Sequence, residues 1–274
     1  MRIEKITDLE PWMGFITEVN NDPAFSCQAI ASPDLLDNNL LQAVNRPDRD
    51  VLGIRQDGAP AGLFVLIVDR AGQYLEMNAG LCRSADGYEA LAAYIQEQYP
   101  GYHADFVFNP ANRPLKELLV RKRAAFQTEQ MKMVYSGVSP SVRTDGIELL
   151  SGPYREQYFA MHSRDVYWTG EKAAEQDWFR ILIAVEDRRV VGYIDVTIDL
   201  DENEPYDLLV LEDSRRKGWG RKLLARALEM NRPRGMMLLV EVDNIPAIRL
   251  YESMGFERVP GQNSLTAAWE IPSA

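Results

Sequence analysis

The sequence has few of the residues that bind metals or form disulfides. Its 274 residues include two cysteines, Cys27 and Cys82, and two histidines, His103 and His162. The cysteines lack metal-ligand spacing, and two histidines are too few for a histidine-rich metal site. We therefore expect no metal. We interpret Cys82 as a small buried residue and His162 as a structural residue, with an acid or base role as the alternative.

Long apolar runs and an excess of positive charge are also absent. The first residues lack the apolar core of a signal peptide, and no apolar run approaches the about 20 residues that span a bilayer. The formal net charge is −11, which argues against nucleic acid or an anionic membrane as a partner and suits a cationic acceptor such as an amine. A cytoplasmic, reducing setting is expected.

The order of elements along the chain indicates two similar halves. A small, polar segment with glycine and proline, Tyr135–Ser141, is typical of a linker. It divides the chain into predicted domains 1–138 and 139–274. Each half shows a hairpin, a strand, a helix, a strand, a helix and a final strand in the same order, which suggests an internal duplication. Alternating strands and helices predict an α/β (α+β) fold.

The most informative stretch lies between an apolar strand and a helix in the second half. The strand Tyr206–Leu211 leads into a glycine-bearing turn, and the helical pattern Arg221–Met230 follows. The turn consists of Arg215, Arg216, Lys217, Gly218, Trp219 and Gly220. Backbone N–H groups at a helix N-terminus lack intrahelical partners and attract anions, and glycines let the backbone approach a ligand closely. We predict a phosphate-binding loop, which we call the cradle.

A second motif follows the next strand. It is Asn244-x-x-Ala247-x-x-Leu250-Tyr251-x-x-x-Gly255-Phe256. Together with Arg215-x-x-Gly218-x-Gly220, in this order, it resembles the signature of the GNAT superfamily of N-acyltransferases. The resemblance covers about residues 145–271. It implies a GNAT-like domain in each half, built on a mixed, mostly antiparallel sheet flanked by helices.

The resemblance assigns expected roles to particular residues. The cradle, with Arg221, corresponds to the site for the pyrophosphate of coenzyme A, and Asn244 and Ala247 match positions that contact this cosubstrate. The pantetheine arm is expected beside Leu208, Leu209 and Val210. The Val210 N–H is the expected oxyanion donor, and Tyr251 the acid that protonates the leaving thiolate.

Each of these positions also has a purely structural interpretation. The glycines of the cradle would suit any tight strand-to-helix turn. Asn244 is well placed to N-cap its helix, with Pro246 in the first turn, and Gly255 to end it. Tyr251 could be a core aromatic, and Trp219 is expected to pack between helix and sheet.

The base that deprotonates the amine is less well defined. Glu204 lies at the spacing before the cradle where some family members carry a catalytic glutamate. Asp207, Glu241, Asp195 and Asp199 are alternatives, and deprotonation through water alone is another. The acceptor site is expected near an aromatic set that would equally suit a core: Tyr154, Tyr158, Tyr167, Trp168 and Trp178.

The first half departs from the family pattern. The equivalent of the cradle, Cys82–Gly87, lacks the Arg-x-x-Gly-x-Gly spacing and carries Asp86, a carboxylate, where a phosphate should bind. The second motif is echoed from Asn112, but no tyrosine occupies the expected position before Ala125-Phe126. We interpret this half as a degenerate GNAT-like domain with a packing role or as one wall of the acceptor pocket.

Together these features predict an acyl-CoA-dependent N-acyltransferase, using acetyl-CoA and a primary amine of a small molecule or peptide. Transfer would be direct, without a covalent enzyme intermediate. The alternative from another class is a non-catalytic acyl-CoA-binding sensor. The sequence leaves open the amine, the acyl group and the oligomeric state.

Overall fold

A computed structural model describes residues 2–22, 24–25, 30, 33–162 and 169–273. Cys27, Tyr167 and Trp168 lie outside these residues. The strands are β1 Arg2–Lys5, β2 Arg49–Gln56, β3 Ala59–Asp69, β4 Tyr74–Cys82, β5 His103–Phe108, β6 Ala125–Phe126, β7 Gln130–Tyr135, β8 Ile147–Leu149, β9 Phe179–Glu186, β10 Arg189–Thr197, β11 Glu202–Asn203, β12 Pro205–Val210, β13 Gly235–Glu241, β14 Phe256–Arg258 and β15 Leu265–Glu270. The α-helices are α1 Met13–Asn20, α2 Pro33–Leu36, α3 Ala85–Gln98, α4 Arg113–Arg121, α5 Arg155–Phe159, α6 Gly170–Ala174, α7 Trp219–Asn231 and α8 Ile245–Ser253.

The two halves repeat the same element order, as the sequence predicted. A hairpin, β2–β3, leads through β4, α3, β5 and α4 to β6 and β7. A second hairpin, β9–β10, leads through β12, α7, β13 and α8 to β14 and β15. The hairpin turns contain Asp57-Gly58 and Asp187-Arg188, all with positive φ, which matches the twist of antiparallel strands. The α/β (α+β) fold class is confirmed.

The first compact unit comprises residues 1–131, 241–243 and 259–274. Its seven-stranded sheet has the order β1-β2-β3-β4-β5-β15-β6, and its pairs are antiparallel except for β4 with β5. One face packs against α3 and α4, around Phe64, Tyr88 and Phe106. The other packs against α1, around Trp12 and Ile16. Both faces are therefore buried.

The second unit comprises residues 132–240 and 244–258. It contains two four-stranded sheets, with the orders β12-β10-β9-β8 and β11-β13-β7-β14. The strands before and after α7, β12 and β13, thus belong to different sheets. An apolar cluster around Tyr158, Ile183 and Tyr193 joins the first sheet to α5 and α6.

The final strand of each half completes the sheet of the other unit. β15, from the second half, lies between β5 and β6 in the first unit, and β7, which ends the first half, lies between β13 and β14 in the second. A single domain boundary between residues 138 and 139 therefore does not coincide with the two compact units described above. Whether residues 1–138 and 139–274 are domains in their own right stays a prediction.

Two helix predictions differ from the structure. The spacing of Tyr154, Tyr158 and Met161 at i, i+4 and i+7 predicts one helix as far as Val166, but the structure has a 3-10 turn, Gly152–Tyr154, followed by the short α5; residues 163–166 lie outside the described ranges. The sequence also predicts a second helix around Lys172–Phe179. That prediction is wrong at its end, because α6 stops at Ala174 and Phe179 already begins β9.

Candidate active site

β12 is an edge strand whose outer side is open for pairing. Its neighbour β10 is antiparallel, with Gly192 opposite Val210, and the Leu211 N–H donates to Val191 O at 2.9 Å. Because N–H groups alternate in direction along an antiparallel strand, the Val210 and Leu208 N–H groups point away from β10. The Val210 carbonyl accepts a hydrogen bond from Arg215 Nε at 3.1 Å. The outward Val210 N–H is thus a donor at the open edge.

The cradle joins this edge to the start of α7. Arg216 and Gly218 have φ values of 63° and 86°, with Lys217 between them outside the positive-φ set. Left-handed residues in a turn before a helix can direct backbone N–H groups toward a bound anion. Gly218 is the N-cap of α7, and no side chain among the described residues caps that helix end. The free N–H donors and the helix dipole therefore suit a phosphate group.

Cationic side chains surround this helix start and are held by neighbours. Lys217 Nζ lies 3.0 Å from Glu186 Oε2. Arg221 donates to Ser253 O at 3.3 Å. Lys222 donates to Asp145 O at 3.1 Å and lies over the ring of Trp219. Trp219 itself is buried, in agreement with the packing role expected for it.

Close packing explains the second glycine of the cradle. A Cβ built at Gly220 would lie 3.3 Å from Leu250 Cδ2 on α8. α7 and α8 are therefore in close contact at this point, and a Cβ at position 220 would require the Leu250 side chain to shift by a few tenths of an ångström.

α8 begins and ends as the sequence predicted. Asn244 Oδ1 accepts from the Ala247 N–H at 3.2 Å, with proline in the first turn. Gly255 follows the helix with φ of 88°, and a Cβ there would lie 1.8 Å from Val138 O, so only glycine fits. Asn244 is exposed and Ala247 partly so, which leaves both within reach of a ligand.

Tyr251 is buried on α8. Burial raises the pKa of its phenol to about 12, and the negative charge of Asp207 adds to this effect. The phenol is therefore protonated throughout the physiological pH range. Its ring packs against Phe256, with centroids 5.9 Å apart, so Tyr251 combines a core contact with an available proton.

A polar network covers the face of β10 and β12 next to α5; four of its five residues were named separately from the sequence, but Tyr193 and the connection between them were missed. Asp195 and Asp207 are direct cross-strand partners. Tyr158 OH donates to Asp195 Oδ2 at 2.9 Å, and Tyr193 OH donates to Asp207 Oδ2 at 2.5 Å. His162 Nε2 lies 3.2 Å from Asp195 Oδ2 and Nδ1 lies 4.0 Å from Asp207 Oδ2. We call these five residues the acceptor-side network.

Burial sets the protonation of this network. Desolvation raises the pKa of Asp195, although the contacts with His162 and Tyr158 lower it. Burial and the two carboxylates also raise the pKa values of Tyr158 and Tyr193, so both phenols are hydrogen-bond donors. Two sequence signals pointed to this network: Tyr158 and His162 are four residues apart, and Tyr193 and Asp195 alternate on one strand face.

Glu204 lies elsewhere. It precedes Val210 by six residues, about 20 Å along an extended strand. Burial raises the pKa of its carboxyl to about 7, while Lys132 and a hydrogen bond from the Leu239 N–H lower it. The charge of Asp207 thus reaches the Tyr251 phenol, whereas Glu204 interacts with Lys132 and Leu239. Glu241 and Asp199 are exposed.

The corresponding helix start in the first unit is closed by its own side chains. Ser84 caps α3 by accepting from the Gly87 N–H at 3.1 Å, and a Cβ at Gly87 would lie 2.4 Å from Cys82 Sγ. Asn112 caps α4, as Asn244 caps α8, but is buried and donates to Tyr88 OH at 2.7 Å. This half has the fold without the open cradle.

Within the described residues, no group of three or more histidine, cysteine, aspartate or glutamate side chains could hold a metal ion. No described helix is both long and apolar enough to cross a membrane.

Comparison with known proteins agrees with this architecture. Residues 177–258 match the family model described as an acetyltransferase (GNAT) domain. Mycothiol acetyltransferase of Thermomonospora curvata is 36% identical over 110 residues, which cover 36% of this chain and 37% of that protein. The aligned part thus spans well under half the length of this curated relative.

Two solved structures share the fold over nearly the whole chain. A GCN5-related N-acetyltransferase from Sphaerobacter thermophilus has a TM-score of 0.72 at 14% identity, over 99% of this chain and 96% of the other. A tandem GNAT protein from the clavulanic acid biosynthesis pathway has a TM-score of 0.64 at 15% identity, over 100% of both chains. The chain therefore carries a GNAT acetyltransferase domain at residues 177–258, within a fold that it shares with a tandem GNAT protein.

Proposed function

We propose that this protein is an N-acetyltransferase that moves the acetyl group of acetyl-CoA directly to a primary amine. The observation that carries the proposal is the open cradle of the second unit. No described side chain caps the start of α7, and the adjacent edge strand β12 has an outward Val210 N–H. The match of residues 177–258 to a GNAT domain supports it.

The residues that would hold acetyl-CoA follow from this arrangement. The N–H groups from Arg216 to Gly220, with Arg215, Lys217 and Arg221, suit the pyrophosphate. Leu208, Leu209 and Val210 offer backbone groups for the pantetheine amides. Asn244 and Ala247 lie at the start of α8, and Trp219 packs at the start of α7. When bound, acetyl-CoA supplies an activated acyl group.

The chain's own groups would then act in three ways. The Val210 N–H would donate to the thioester oxygen and stabilise the negative charge that develops on it. Tyr251, kept protonated by burial, would donate its phenolic proton to the departing thiolate. A base would take a proton from the amine, and the pKa of about 7 at Glu204 suits a base working near neutral pH.

The distance of Glu204 from Val210 limits this last role. At about 20 Å along the strand, its carboxylate would have to receive the proton through intervening water molecules. Glu204 is therefore the sequence-based candidate for a water-mediated base.

The test is turnover. Purified protein is mixed with acetyl-CoA and a library of amines, including free amino acids, polyamines, aminoglycosides and short peptides, and thiol release is followed. Acetylation of at least one amine is the expected result. Coenzyme A binding without turnover of any amine would contradict the proposal and favour the sensor function.

A further inference from the structure

The acceptor-side network contains polar atoms that its internal contacts do not satisfy. Asp195 Oδ1 is fully buried and has no hydrogen-bond partner among the described residues, and the buried His162 Nε2 has only the 3.2 Å approach of Asp195 Oδ2. The side chains of His162 and Asp195 are 3% and 2% exposed, whereas that of Asp207 is 43% exposed. The network therefore runs from an accessible carboxylate into the protein interior.

Two carboxylates directly opposite on paired strands repel each other. Because burial removes water that would screen the two charges, it makes this repulsion larger. Burial, and to a lesser degree the charge of Asp207, raises the pKa of Asp195. An arrangement that keeps both carboxylates costs stability unless a positive charge binds beside them. Among the network's own groups only the imidazole of His162 can become cationic, and an ammonium group could bind from the accessible side at Asp207.

The contacts of His162 define which ring nitrogen could accept a proton. Nε2 faces the buried carboxylate of Asp195 at 3.2 Å. A carboxylate favours the protonated nitrogen beside it, so the neutral ring carries its hydrogen on Nε2. Nδ1, with its lone pair, then faces Asp207 at 4.0 Å. The ring is held in this orientation by stacking on Tyr193, with centroids 4.3 Å apart, and by an edge contact with Tyr158.

The separation of Nδ1 from Asp207 suits one ammonium nitrogen bound to both. A nitrogen at about 2.8 Å from each acceptor would see them at an angle of about 90°, roughly 20° narrower than the tetrahedral angle between two N–H bonds, which bent hydrogen bonds accommodate. Asp207 also lies near Tyr251, since its charge contributes to the raised pKa of that phenol.

We propose that Asp207 binds the acceptor as an ammonium ion and that His162, oriented by Asp195, takes the proton that this ion must lose. This inference rests on the proposed function and adds the residues that prepare the amine. Asp207 and His162 contact the acceptor, whereas Asp195 is a positioning residue.

The proton balance is complete. R–NH3+ gives one proton to His162 Nδ1 and becomes the nucleophile R–NH2. The new C–N bond forms as the C–S bond breaks, and the thiolate takes a proton from Tyr251. The nitrogen loses its second proton as the amide forms, and this proton restores the Tyr251 phenol. The proton on His162 leaves to solvent, so each turnover releases one proton.

The first experiment needs no catalysis. The chain has two histidines, so the ring signals of His162 and His103 can be assigned by NMR with His103→Gln and His162→Gln. Methylammonium chloride is added as the probe, and tetramethylammonium chloride, which has no N–H to donate, at equal ionic strength as the control. We expect methylammonium alone to shift the His162 signals, and Asp207→Asn to abolish the shift. Equal responses to both salts, or none, would overturn the proposal.

The second experiment uses an amine that the wild-type protein acetylates. His162→Gln should lower kcat by about 10²–10³-fold without changing the affinity for coenzyme A, and should alter the pH profile of kcat/KM. Asp207→Asn should mainly raise the KM for the amine. The groups facing His162 that shape this profile are Asp195 and Tyr193 on β10, Asp207 on β12 and Tyr158 on α5.

Controls separate this proposal from the others. His103→Gln should have no effect, and Glu204→Gln tests the rival base. If Glu204→Gln is inactive while His162→Gln keeps wild-type kcat and pH profile, the assignment to His162 is wrong.

If His162→Gln does not fold, as judged by its coenzyme A affinity and its melting temperature, the same kinetic measurements on Asp207→Asn decide the question. A wild-type protein without turnover contradicts the proposed function, but the methylammonium comparison still decides whether this site binds ammonium.

Discussion

The carboxylate of Asp207 on β12 acts on the phenol of Tyr251 on α8. Its negative charge adds to burial in raising the pKa of Tyr251 to about 12. Asp207 lies on the strand before the cradle, and Tyr251 lies in the second motif, 44 positions later in the chain. Burial first, and this charge second, keep the proposed acid protonated, within electrostatic reach of the carboxylate that we propose binds the amine.

Removal of the Tyr251 hydroxyl should slow acyl transfer. We expect Tyr251→Phe to lower kcat by about 10²-fold, since general acid catalysis contributes at least this much, and to leave coenzyme A affinity unchanged. Steady-state kinetics and calorimetry measure the two effects. Tyr135→Phe is the matched control, because Tyr135 packs on the same Phe256 ring, with centroids 5.6 Å apart. Full activity of Tyr251→Phe across the pH range would rule out the acid role.

A side chain at the first glycine of the cradle should weaken binding. Gly218→Ala forces alanine into the left-handed region, at a cost of about 1 kcal/mol, and disturbs the N–H groups that suit phosphate. Gly58 has nearly the same φ, 84° against 86°, and neither position has an atom near a built Cβ. Gly58→Ala should therefore lower the melting temperature similarly but leave coenzyme A affinity intact. Equal affinities for both variants would show that the cradle does not bind the cosubstrate.

The buried carboxyl of Glu204 should make stability depend on pH. Its pKa is about 7 in the folded protein, against an ordinary value of 4.5 for a glutamate in an unfolded chain. The folded state therefore binds more protons than the unfolded chain between these values, and the free energy of unfolding falls as pH rises through that window. Glu204→Gln has no carboxyl to titrate and so does not lose stability in this window. By pH 8 its free energy of unfolding should have risen by up to about 3 kcal/mol relative to that of the wild type.

Urea denaturation at pH 5, 6, 7 and 8 measures this difference. Replacement of the exposed Glu148 by glutamine controls for the loss of one negative charge. A Glu204→Gln advantage that is the same at every pH would mean that the carboxyl titrates normally.

The exchanged strands should govern which fragments fold. Residues 139–274 lack β7, which lies between β13 and β14, and keep β15 without β5 and β6. Residues 128–258 contain every strand of the second unit. We expect the longer C-terminal fragment to be poorly folded and the internal fragment to show a cooperative melt by circular dichroism. A cooperative transition in residues 139–274 alone would instead support the domain division predicted from sequence.

Much of the fold could be predicted because its signals are local. Asn244 and Gly255 carry capping preferences that act within one turn of helix, and both were predicted correctly. The Asp57-Gly58 and Asp187-Arg188 turns fix their hairpins in the same way. The cradle loop was likewise recognised from glycine spacing after a strand, although its ligand remains a prediction.

The rest depends on pairing across long distances. β15 could pair with β5 or with β13 and keep the same alternation of inward and outward side chains. The sequence therefore did not show the exchange of final strands. His162 was interpreted as structural because its partners lie 33 and 45 positions later, on two strands whose register places Asp195 opposite Asp207. Local patterns carry no such register, and this is why the network was missed.

The exchange of final strands also has a consequence for synthesis on the ribosome. β6 cannot be joined to β5 until β15 has emerged, more than a hundred residues later. During that interval the edge of β5 is an unpaired row of N–H and C=O groups, the kind of surface that other chains can pair with. The nascent protein thus passes through a stage in which the sheet of the first unit has an unpaired edge at β5. This edge is paired only after β15 has been synthesised.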